Sequence, residues 1–354
     1  GQGHIGPIMA DWLGLTPRPA TRVENACASG GSALREGINA VASGLYDIVL
    51  VGGVEKMSSL STEETTDVLA MAADVLYEVP AGFTFPAIYA AIAVAYLNKY
   101  EVSPEELFGV SIKNHRNGSL NPRAQFNSTI GEMMERRVSR MVPPPISNPW
   151  NDEKEFLNDL SVNPWVSWPL RLFDCAPITD GSACVLLVAD ELENLFTDNP
   201  VRIIGTGQAT GPQLNSAPNP TSLSAAKFAS LEAYSMAGIG PDAIQIAEVH
   251  DCFSIAEIVA TEDLGFFREG QGIEALKEGR TSLQGDKPIN TSGGLKAKGH
   301  PVGASGVAQV VELYLQLRRQ AGLRQVPNPN LEFGLAHNIG AAGGTGVVHI
   351  LQRE

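Results

Sequence analysis

The sequence predicts an α/β fold that is built from two related halves. Short apolar runs rich in β-branched residues alternate with segments of helical period, as in sheets covered by helices. The 354 residues exceed the size at which a single core stops growing, so we expect two cores. Residues 25–31 (NACASGG) and 290–294 (NTSGG) each precede a predicted helix and strand, which indicates a duplicated unit. We therefore expect parallel sheets with helices on both faces, and functional residues where the halves meet.

The first predicted core surrounds a long insertion. Its elements are a helix over 8–13, a strand-like segment over 21–25, a helix over 32–43 ended by Gly44, and a buried parallel strand over 47–53. From residue 58 to 170 the pattern changes, with helices at 86–100 and 104–117, a proline-rich stretch at 143–145 and an aperiodic segment at 148–168. A strand over 183–188 then returns the chain to the first core.

The second predicted core begins near Val201. Its strands are expected at 202–207, 244–250, 332–338 and 345–351, and its helices at 222–237, 255–264 and 302–319. A short segment at 288–290 and a glycine-rich turn precede the last helix.

Composition excludes several classes of function. Lys and Arg total 25 and Asp and Glu total 39, a net charge of −14 that argues against binding nucleic acid or an anionic membrane surface. The four cysteines form no C-x-x-C pair, so we expect reduced thiols in a cytosol-like compartment and no metal site. No run of 18 apolar residues and no signal peptide are present. The opening residues, GQGHIG, resemble the middle of a domain, so we expect that upstream residues are missing.

Cys27 is the candidate nucleophile. It is expected at the start of a helix, where the helix dipole and free N–H groups favour a thiolate. Its small neighbours in residues 25–31 leave room for a bulky acyl group. A buried structural cysteine is the competing interpretation of the position alone.

Two histidines are candidate partners of this thiol. His300 lies in a Gly-His-Pro turn before the last long helix, and histidine is the usual base for a cysteine nucleophile. His250 and Cys252 follow a predicted buried strand, in residues 250–253 (HDCF), at the sheet edge where α/β folds bind ligands. A second thiol there could serve as acid and base for a carbon acid. Satisfied core residues and a helix-capping histidine are the alternatives.

Other candidates have simpler explanations as strong as the functional ones. Residues 334–344 (GLAHNIGAAGG) end a strand in a glycine turn that could aim an N–H at an oxyanion, or could be a plain turn. His115 lies in a basic cluster that could meet phosphates, or at a solvated helix end. His4 and His349 have no companions and are interpreted as surface or core residues.

Together these motifs resemble the thiolase superfamily over nearly the whole chain, and most closely its sterol-carrier-protein-2 type, which includes archaeal acetoacetyl-CoA thiolases. The resemblance rests on residues 24–30 (ENACASG), 250–253 (HDCF), 293–301 (GGLKAKGHP) and 337–340 (HNIG), supported by 113–115 (KNH) and 174–181 (DCAPITDG). It implies a thiolase-like fold of two duplicated βαβαβαββ halves. These would be an N-terminal half (1–57 and 172–200) without its opening strand and helices, a loop domain (58–171) inserted in it, and a C-terminal half (201–354).

The resemblance also implies a mechanism. Cys27 would attack an acyl-CoA thioester while His300 takes its proton. Cys252 would then remove an α-proton from a second acyl-CoA, in place of the cysteine that ordinary thiolases carry in their last loop. Asn338 occupies that last-loop position here.

Two oxyanion holes and a substrate-binding surface follow from the same resemblance. His250 and His300 would hold the enolate oxygen, and the backbone N–H groups of Cys27 and Gly340 would form the second hole. Phe253, His115 and Asn338 would contact the substrate.

Substrates and partners are expectations of the same kind. The resemblance implies coenzyme A thioesters as substrates, no covalently bound cofactor and a cytoplasmic enzyme of lipid metabolism, such as the mevalonate pathway. It implies a homodimer or homotetramer, and pairing with an OB-fold protein that carries a zinc ribbon and with hydroxymethylglutaryl-CoA synthase. The loop domain would shape the acyl pocket and help to hold CoA.

Three alternatives stay open at this stage. A decarboxylating ketoacyl synthase could use Cys27, His250 and His300, but it needs no proton-abstracting thiol at position 252. A thiolase-like aldolase is expected to lack the pair of cysteines. A non-catalytic partner subunit would be consistent with a missing opening segment but not with intact motifs.

Overall fold

The computed structural model describes residues 2–143, 145, 147–212 and 214–353, with the backbone alone at position 215. Part of the predicted proline-rich stretch, Pro144, lies outside the described residues, as does Gly1 of the opening segment. The α-helices are α1 (Ile5–Trp12), α2 (Ser29–Ala42), α3 (Thr62–Ala70), α4 (Phe85–Tyr100), α5 (Phe108–Ser119), α6 (Ile130–Ser139), α7 (Glu153–Asn158), α8 (Ser224–Ala237), α9 (Ser254–Asp263), α10 (Gly272–Lys277), α11 (Gly294–Ala297) and α12 (Ser305–Leu317). The strands are β1 (Ile48–Glu55), β2 (Trp165–Ser167), β3 (Leu170–Arg171), β4 (Gly181–Val188), β5 (Val201–Thr210), β6 (Ile246–Glu248), β7 (Phe333–Gly340) and β8 (Thr345–Arg353).

The C-terminal part forms one mixed sheet with the strand order β5-β8-β7-β6. β8 pairs antiparallel with both β5 and β7, while β6 pairs parallel with β7. Ile289 forms a parallel bridge to Ala247, so the predicted short segment at 288–290 adds to the same edge. The order of strands and helices from β5 to β8 follows the expected βαβαβαββ pattern. The expectation of parallel sheets is met only at the edge formed by β6 and β7 and is wrong for the rest of the sheet, where the last two strands join through a tight turn that only antiparallel pairing permits.

In the N-terminal part, β1 and β4 form an antiparallel pair in which Ile48 lies opposite Val188. The prediction of a buried parallel strand over 47–53 was therefore wrong in both respects. Residues alternate between the two faces of a strand, and one face of this pair leaves Ile48, Leu50 and Leu186 exposed. The other face packs on α2 and α12.

α2 and α12 form a layer between the two sheets. Leu34 of α2 and Val307 of α12 are fully buried in one core with Val51 of β1 and Leu351 of β8. A second core, which includes Ala229 and Ala260, lies where α8 and α9 cover the outer face of the larger sheet. This arrangement places the N-terminal ends of the two central helices close together.

The central helices approach each other closely because glycines line their contact. A Cβ on Gly30 would lie 3.0 Å from the backbone nitrogens of Gly306 and Val307. A Cβ on Gly306 would lie 2.3 Å from Asn338 Oδ1 and 2.4 Å from the nitrogen of Gly31. The contacts at Gly30 are tighter than most real ones, and those at Gly306 are shorter than real side chains make, so a larger residue at either position would push its neighbours apart.

The block from residue 58 to 171 contains α3 to α7 and the short β2–β3 hairpin. Its own small core includes Phe108, Ile130, Trp150, Phe156 and Leu157. α4 and α5 reach out of this block to pack on α9. The proposed domain boundaries remain a prediction.

Three local predictions need correction. The segment over 21–25 is extended but joins no sheet, with a single bridge from Asn25 to Cys27. β6 covers only three of the residues predicted as a strand at 244–250, and α12 begins at Ser305 rather than 302 because α11 and a turn come first. Among the described residues, no helix combines the length and apolar character needed to cross a bilayer.

Gly306→Ala is expected to destabilise the protein. The alanine gains about 1 kcal/mol of helix propensity, but overpacking against Asn338 costs more, so we expect a net loss of about 2 kcal/mol in the free energy of unfolding. Urea denaturation measures the difference. Gly240→Ala is the control, since a Cβ there meets no atom within 4 Å. Equal stability of both variants would contradict the close packing of α2 and α12.

Candidate active site

Cys27 lies in a tight turn just before α2. Ala26 has a left-handed backbone (φ 50°), and the N–H of Ala28 donates to the carbonyl oxygen of Asn25 at 3.0 Å. A non-glycine residue with positive φ is uncommon and is often found beside functional groups. The turn holds the thiol two residues before the helix begins, half-buried where the two parts of the molecule meet.

The Cys27 thiol is neutral, contrary to the sequence-based expectation of a thiolate. Burial raises its pKa to about 11, and the negative charges of Glu55 and Glu24 add to the rise. Hydrogen bonds from the N–H of Ala341 and from its own N–H lower the pKa by less. Desolvation therefore outweighs the helix terminus, and the thiol needs a base.

His300 is oriented as a base. Its ring Nδ1 lies 2.7 Å from Ser305 Oγ, and that hydroxyl donates to the carbonyl oxygen of Pro301 at 3.0 Å. We therefore assign the ring proton to Nδ1, which leaves the Nε2 lone pair free. Nε2 is buried and has no hydrogen-bond partner among the described residues. Burial, and to a lesser extent the charge of Lys298, lowers the pKa of His300 to about 3.

His250 is oriented as a donor by Asn338. The Oδ1 atom of Asn338 accepts from the N–H of Gly31 at 3.1 Å, which turns the Nδ2 group toward His250 Nδ1, also at 3.1 Å. His250 Nδ1 must then accept, so its proton lies on Nε2. Burial lowers the pKa of His250 well below its usual value, and this ring is neutral as well.

The fold brings these three side chains together. The Sγ atom of Cys27 and ring nitrogens of His250 and His300 all lie within 4.8 Å of one another. The two imidazole rings meet edge to face with centroids 5.0 Å apart. A thiol thus lies beside one ring that can accept a proton and one that can donate a hydrogen bond.

A second thiol, that of Cys252, lies near enough to Cys27 for their charges to interact. It is buried just before α9. Burial has the largest influence on its pKa, and the negative charge of Cys27 in its thiolate form is a smaller one. Burial raises the pKa of Cys252 well above its usual value, so both thiols are protonated in the free protein. The neighbouring Phe253 stacks on Tyr89 with ring centroids 4.7 Å apart.

Asp251 ties the strand end that carries these residues to the turn that carries His300. Its carboxylate accepts from the N–H of Leu295 at 2.6 Å and from Asn114 Nδ2 at 2.7 Å. Gly294 has positive φ (58°), and a Cβ there would lie 2.3 Å from the carboxylate. Burial, with the nearby charge of Glu257, raises the pKa of Asp251 to about 7.

The predicted basic cluster around His115 does not exist as a surface. Lys113 is buried in an ion pair with Glu257 at 2.9 Å. His115 is buried between the rings of Phe126 and Phe173, and burial lowers its pKa to about 4. Successive helical residues face different directions, so a run of basic residues in sequence is not a patch on a helix. Both interpretations of His115, as part of a phosphate-binding cluster and as a solvated helix end, were therefore wrong.

The remaining predicted residues are placed as follows. Gly340 ends β7, and a Cβ on it would lie 2.6 Å from the carbonyl oxygen of Asn25, so it borders the Cys27 turn. Asn338 uses its amide within the protein, and its contact with substrate stays a prediction, as does that of Phe253. His349 is a core residue that bonds Thr206 and the carbonyl oxygen of Gly31, whereas His4 is exposed.

Sequence reasoning missed four residues of the site. Ala341 falls within a quoted motif and Ser305 shortly after another, but neither gave a signal of its own, and Asp251 was noted only as part of HDCF. Tyr89 lies in the inserted block, and nothing in the helical pattern around it indicates contact with a cysteine far along the chain.

Comparison with known proteins assigns the chain to a family. Residues 9–139 match the family model of the thiolase N-terminal domain, and residues 207–353 match that of the thiolase C-terminal domain-like family. The acetyl-CoA acetyltransferase of Methanothermobacter thermautotrophicus is 44% identical over 355 residues, which cover 99% of this chain and 85% of that protein. The chain belongs to the thiolase family. The predicted superfamily is therefore confirmed.

Other relatives of this thiolase agree. Sterol carrier protein 2 of Rattus norvegicus is 32% identical over 94% of this chain and 58% of its own length. The solved structure of the Ltp2-ChsH2(DUF35) aldolase shares the fold, with a TM-score of 0.76 at 21% identity over 97% of this chain and 82% of that one. Membership of the family confirms the predicted thiolase-like fold and an acyltransferase that acts on CoA thioesters. The three alternative functions are not favoured.

The buried neutral histidines of this thiolase predict a loss of stability in acid. Burial lowers the pKa of His349 to about 4, against an unfolded value of 6.5. A lowered histidine pKa contributes stability that is present above the unfolded pKa and is lost as the pH falls toward the folded one. As the pH falls from about 7 to about 5, this residue should lower the free energy of unfolding by about 2 kcal/mol.

His349→Gln isolates this contribution. Urea denaturation at both pH values should show that the variant loses about 2 kcal/mol less than the parent over the interval. An equal loss in both proteins would show that the pKa of His349 does not differ between the folded and unfolded states, and would contradict this prediction.

Proposed function

We propose that this thiolase condenses two molecules of acetyl-CoA to acetoacetyl-CoA and CoA, or catalyses the reverse thiolysis, through an acyl-enzyme on Cys27. The observation that carries the proposal is the convergence of Cys27, His250 and His300 within 4.8 Å, beside a second thiol, Cys252. The name of the 44% identical archaeal relative supports acetyl-CoA as the substrate.

In the first half-reaction the Cys27 proton moves to Nε2 of His300, and the sulfur attacks the thioester carbon of acetyl-CoA. The N–H of Cys27 and that of Gly340 are the proposed donors to the oxyanion, and one such donor is commonly worth about 3 kcal/mol. The bond from the carbonyl carbon to the CoA sulfur breaks. Cys252 gives its proton to that sulfur, so CoA leaves as a thiol and Cys252 becomes a thiolate.

In the second half-reaction the Cys252 thiolate removes a proton from the methyl group of another acetyl-CoA. The N–H groups on Nε2 of His250 and of protonated His300 stabilise the enolate oxygen. The enolate carbon attacks the acyl carbonyl, and the bond to Cys27 breaks. Cys27 recovers its proton from His300, which balances the cycle.

The second thiol supports this function over a decarboxylating synthase. Loss of carbon dioxide generates a carbanion without a base, so such an enzyme has no use for a second thiol whose pKa responds to Cys27. The raised pKa of Cys252 fits a group that begins as an acid and then serves as a base.

Localisation and partners are also proposals. We place the enzyme in the cytoplasm and in lipid metabolism such as the mevalonate pathway, with CoA thioesters as substrates rather than bound cofactors. We propose a homodimer or homotetramer, which the exposed apolar face of β1 and β4 supports. An OB-fold, zinc-ribbon protein and hydroxymethylglutaryl-CoA synthase remain the proposed partners.

Mass spectrometry after incubation with acetyl-CoA tests the two cysteine roles. We expect an acetyl adduct on Cys27 in the parent protein and in Cys252→Ala, and none in Cys27→Ser. Formation of acetoacetyl-CoA should fall by at least about a hundredfold in Cys252→Ala, because a general base contributes about that much.

Cys184→Ala is the matched control, since this cysteine is exposed on β4. It should retain both the adduct and the condensation. No adduct on Cys27 from any acyl-CoA would contradict the proposal. Turnover of malonyl-CoA alone would indicate a decarboxylating synthase instead.

A further inference from the structure

Tyr89 is a buried hydroxyl at the active site that the mechanism above does not use. It lies on α4, only 1% of its surface is exposed, and its ring stacks on Phe253. Its hydroxyl lies 3.1 Å from the carbonyl oxygen of Ala341. The same hydroxyl interacts with the thiol of Cys252. A buried tyrosine between a carbonyl oxygen and a sulfur is placed by its polar group as well as by its ring.

The single proton of this hydroxyl can serve two arrangements. When Cys252 is a thiol, its S–H can donate to the tyrosine oxygen while the hydroxyl donates to Ala341. When Cys252 is a thiolate, it cannot donate, and the hydroxyl can turn to donate to the sulfur instead. A hydrogen bond to an ionised group is stronger than one between neutral groups, so this second arrangement favours the thiolate.

Ala341 links this tyrosine to the other cysteine. Its N–H donates to Cys27, and its carbonyl oxygen accepts from Tyr89. Its backbone is left-handed (φ 55°), a conformation that an alanine seldom adopts. The backbone of Ala341 therefore contacts Cys27 through its N–H and Tyr89 through its carbonyl oxygen. Tyr89 in turn interacts with Cys252.

We propose that Tyr89 is a further catalytic residue, whose hydroxyl holds the Cys252 side chain in place and stabilises its thiolate during proton abstraction. This inference rests on the proposed function, because it assigns Tyr89 a role in the half-reaction that Cys252 performs. The hydroxyl keeps its own proton throughout. The α-proton of acetyl-CoA moves to the Cys252 sulfur, the C–H electron pair becomes the enolate, and the hydroxyl returns to Ala341.

Other groups around Cys252 set its charge balance. Cys27 and Asp251 disfavour the thiolate, while the buried ammonium of Lys296 favours it. Burial is the largest influence and also opposes the charge. When Cys252 is a thiolate, the Tyr89 hydroxyl can donate a hydrogen bond to this sulfur, which lowers the pKa of Cys252 further. Removal of the hydroxyl should therefore change the pH at which Cys252 acts as a base.

Tyr89→Phe tests the role, because it keeps the ring that stacks on Phe253 and removes only the oxygen. Exchange of the methyl protons of acetyl-CoA with deuterated water, followed by NMR across a range of pH, reports proton abstraction directly. We expect the exchange rate to fall roughly 10- to 100-fold and the midpoint of its pH profile to rise by about 1 to 2 pH units. The final extent of Cys27 acetylation should be unchanged.

Tyr96→Phe is the matched control, since Tyr96 is buried on the same helix and its hydroxyl bonds Glu262 instead. It should keep the parent exchange rate and pH profile. Normal exchange in Tyr89→Phe with an unshifted midpoint would overturn the inference, and so would an equal loss in both variants. Loss of Cys27 acetylation in Tyr89→Phe would also overturn it, because the hydroxyl would then act on the whole site. If the parent protein itself formed no Cys27 adduct, the proposed function would fail first.

Discussion

The side-chain amide of Asn338 is the contact on which the arrangement of the site depends. It lies on β7, accepts from the N–H of Gly31 at the start of α2, and donates to the ring of His250 beyond β6. The position is possible only because Gly31 and Gly306 leave no side chain in its way. One amide thus fixes the distance from the nucleophile's helix to the donor histidine, and also the tautomer of that histidine.

Burial gives the site an unusual electrostatic state in which the groups expected to react are all uncharged. The pKa of Cys27 is raised to about 11 and that of His300 is lowered to about 3, so no thiolate–imidazolium pair exists at neutral pH. Charge then appears only as the reaction proceeds, next to donors that are already oriented. Because both rings are neutral, the role of each depends on which nitrogen carries the proton. Ser305 sets this for His300, and Asn338 sets it for His250.

Helices and site residues were predictable to different degrees. The helical period placed α4 and α8 within two residues, and short motifs identified Cys27, His250, Cys252 and His300, because both signals are local in sequence. The pairing of β1 was not predictable, since its partner β4 lies beyond the whole inserted block. The neutral thiol of Cys27, the buried His115 and the contact of Tyr89 with Cys252 were missed for one reason. Each of these features depends on which distant segments of the chain bury the residue, and a local sequence pattern does not contain that information.

The rate at which iodoacetamide alkylates Cys27 as a function of pH, followed by mass spectrometry, tests the neutral resting site most directly. Only the thiolate reacts, so a neutral Cys27 thiol should give a rate that still rises above about pH 9 in the protein without substrate. A rate that reaches its plateau below about pH 8 would show a thiolate already paired with His300, and would contradict a neutral resting site.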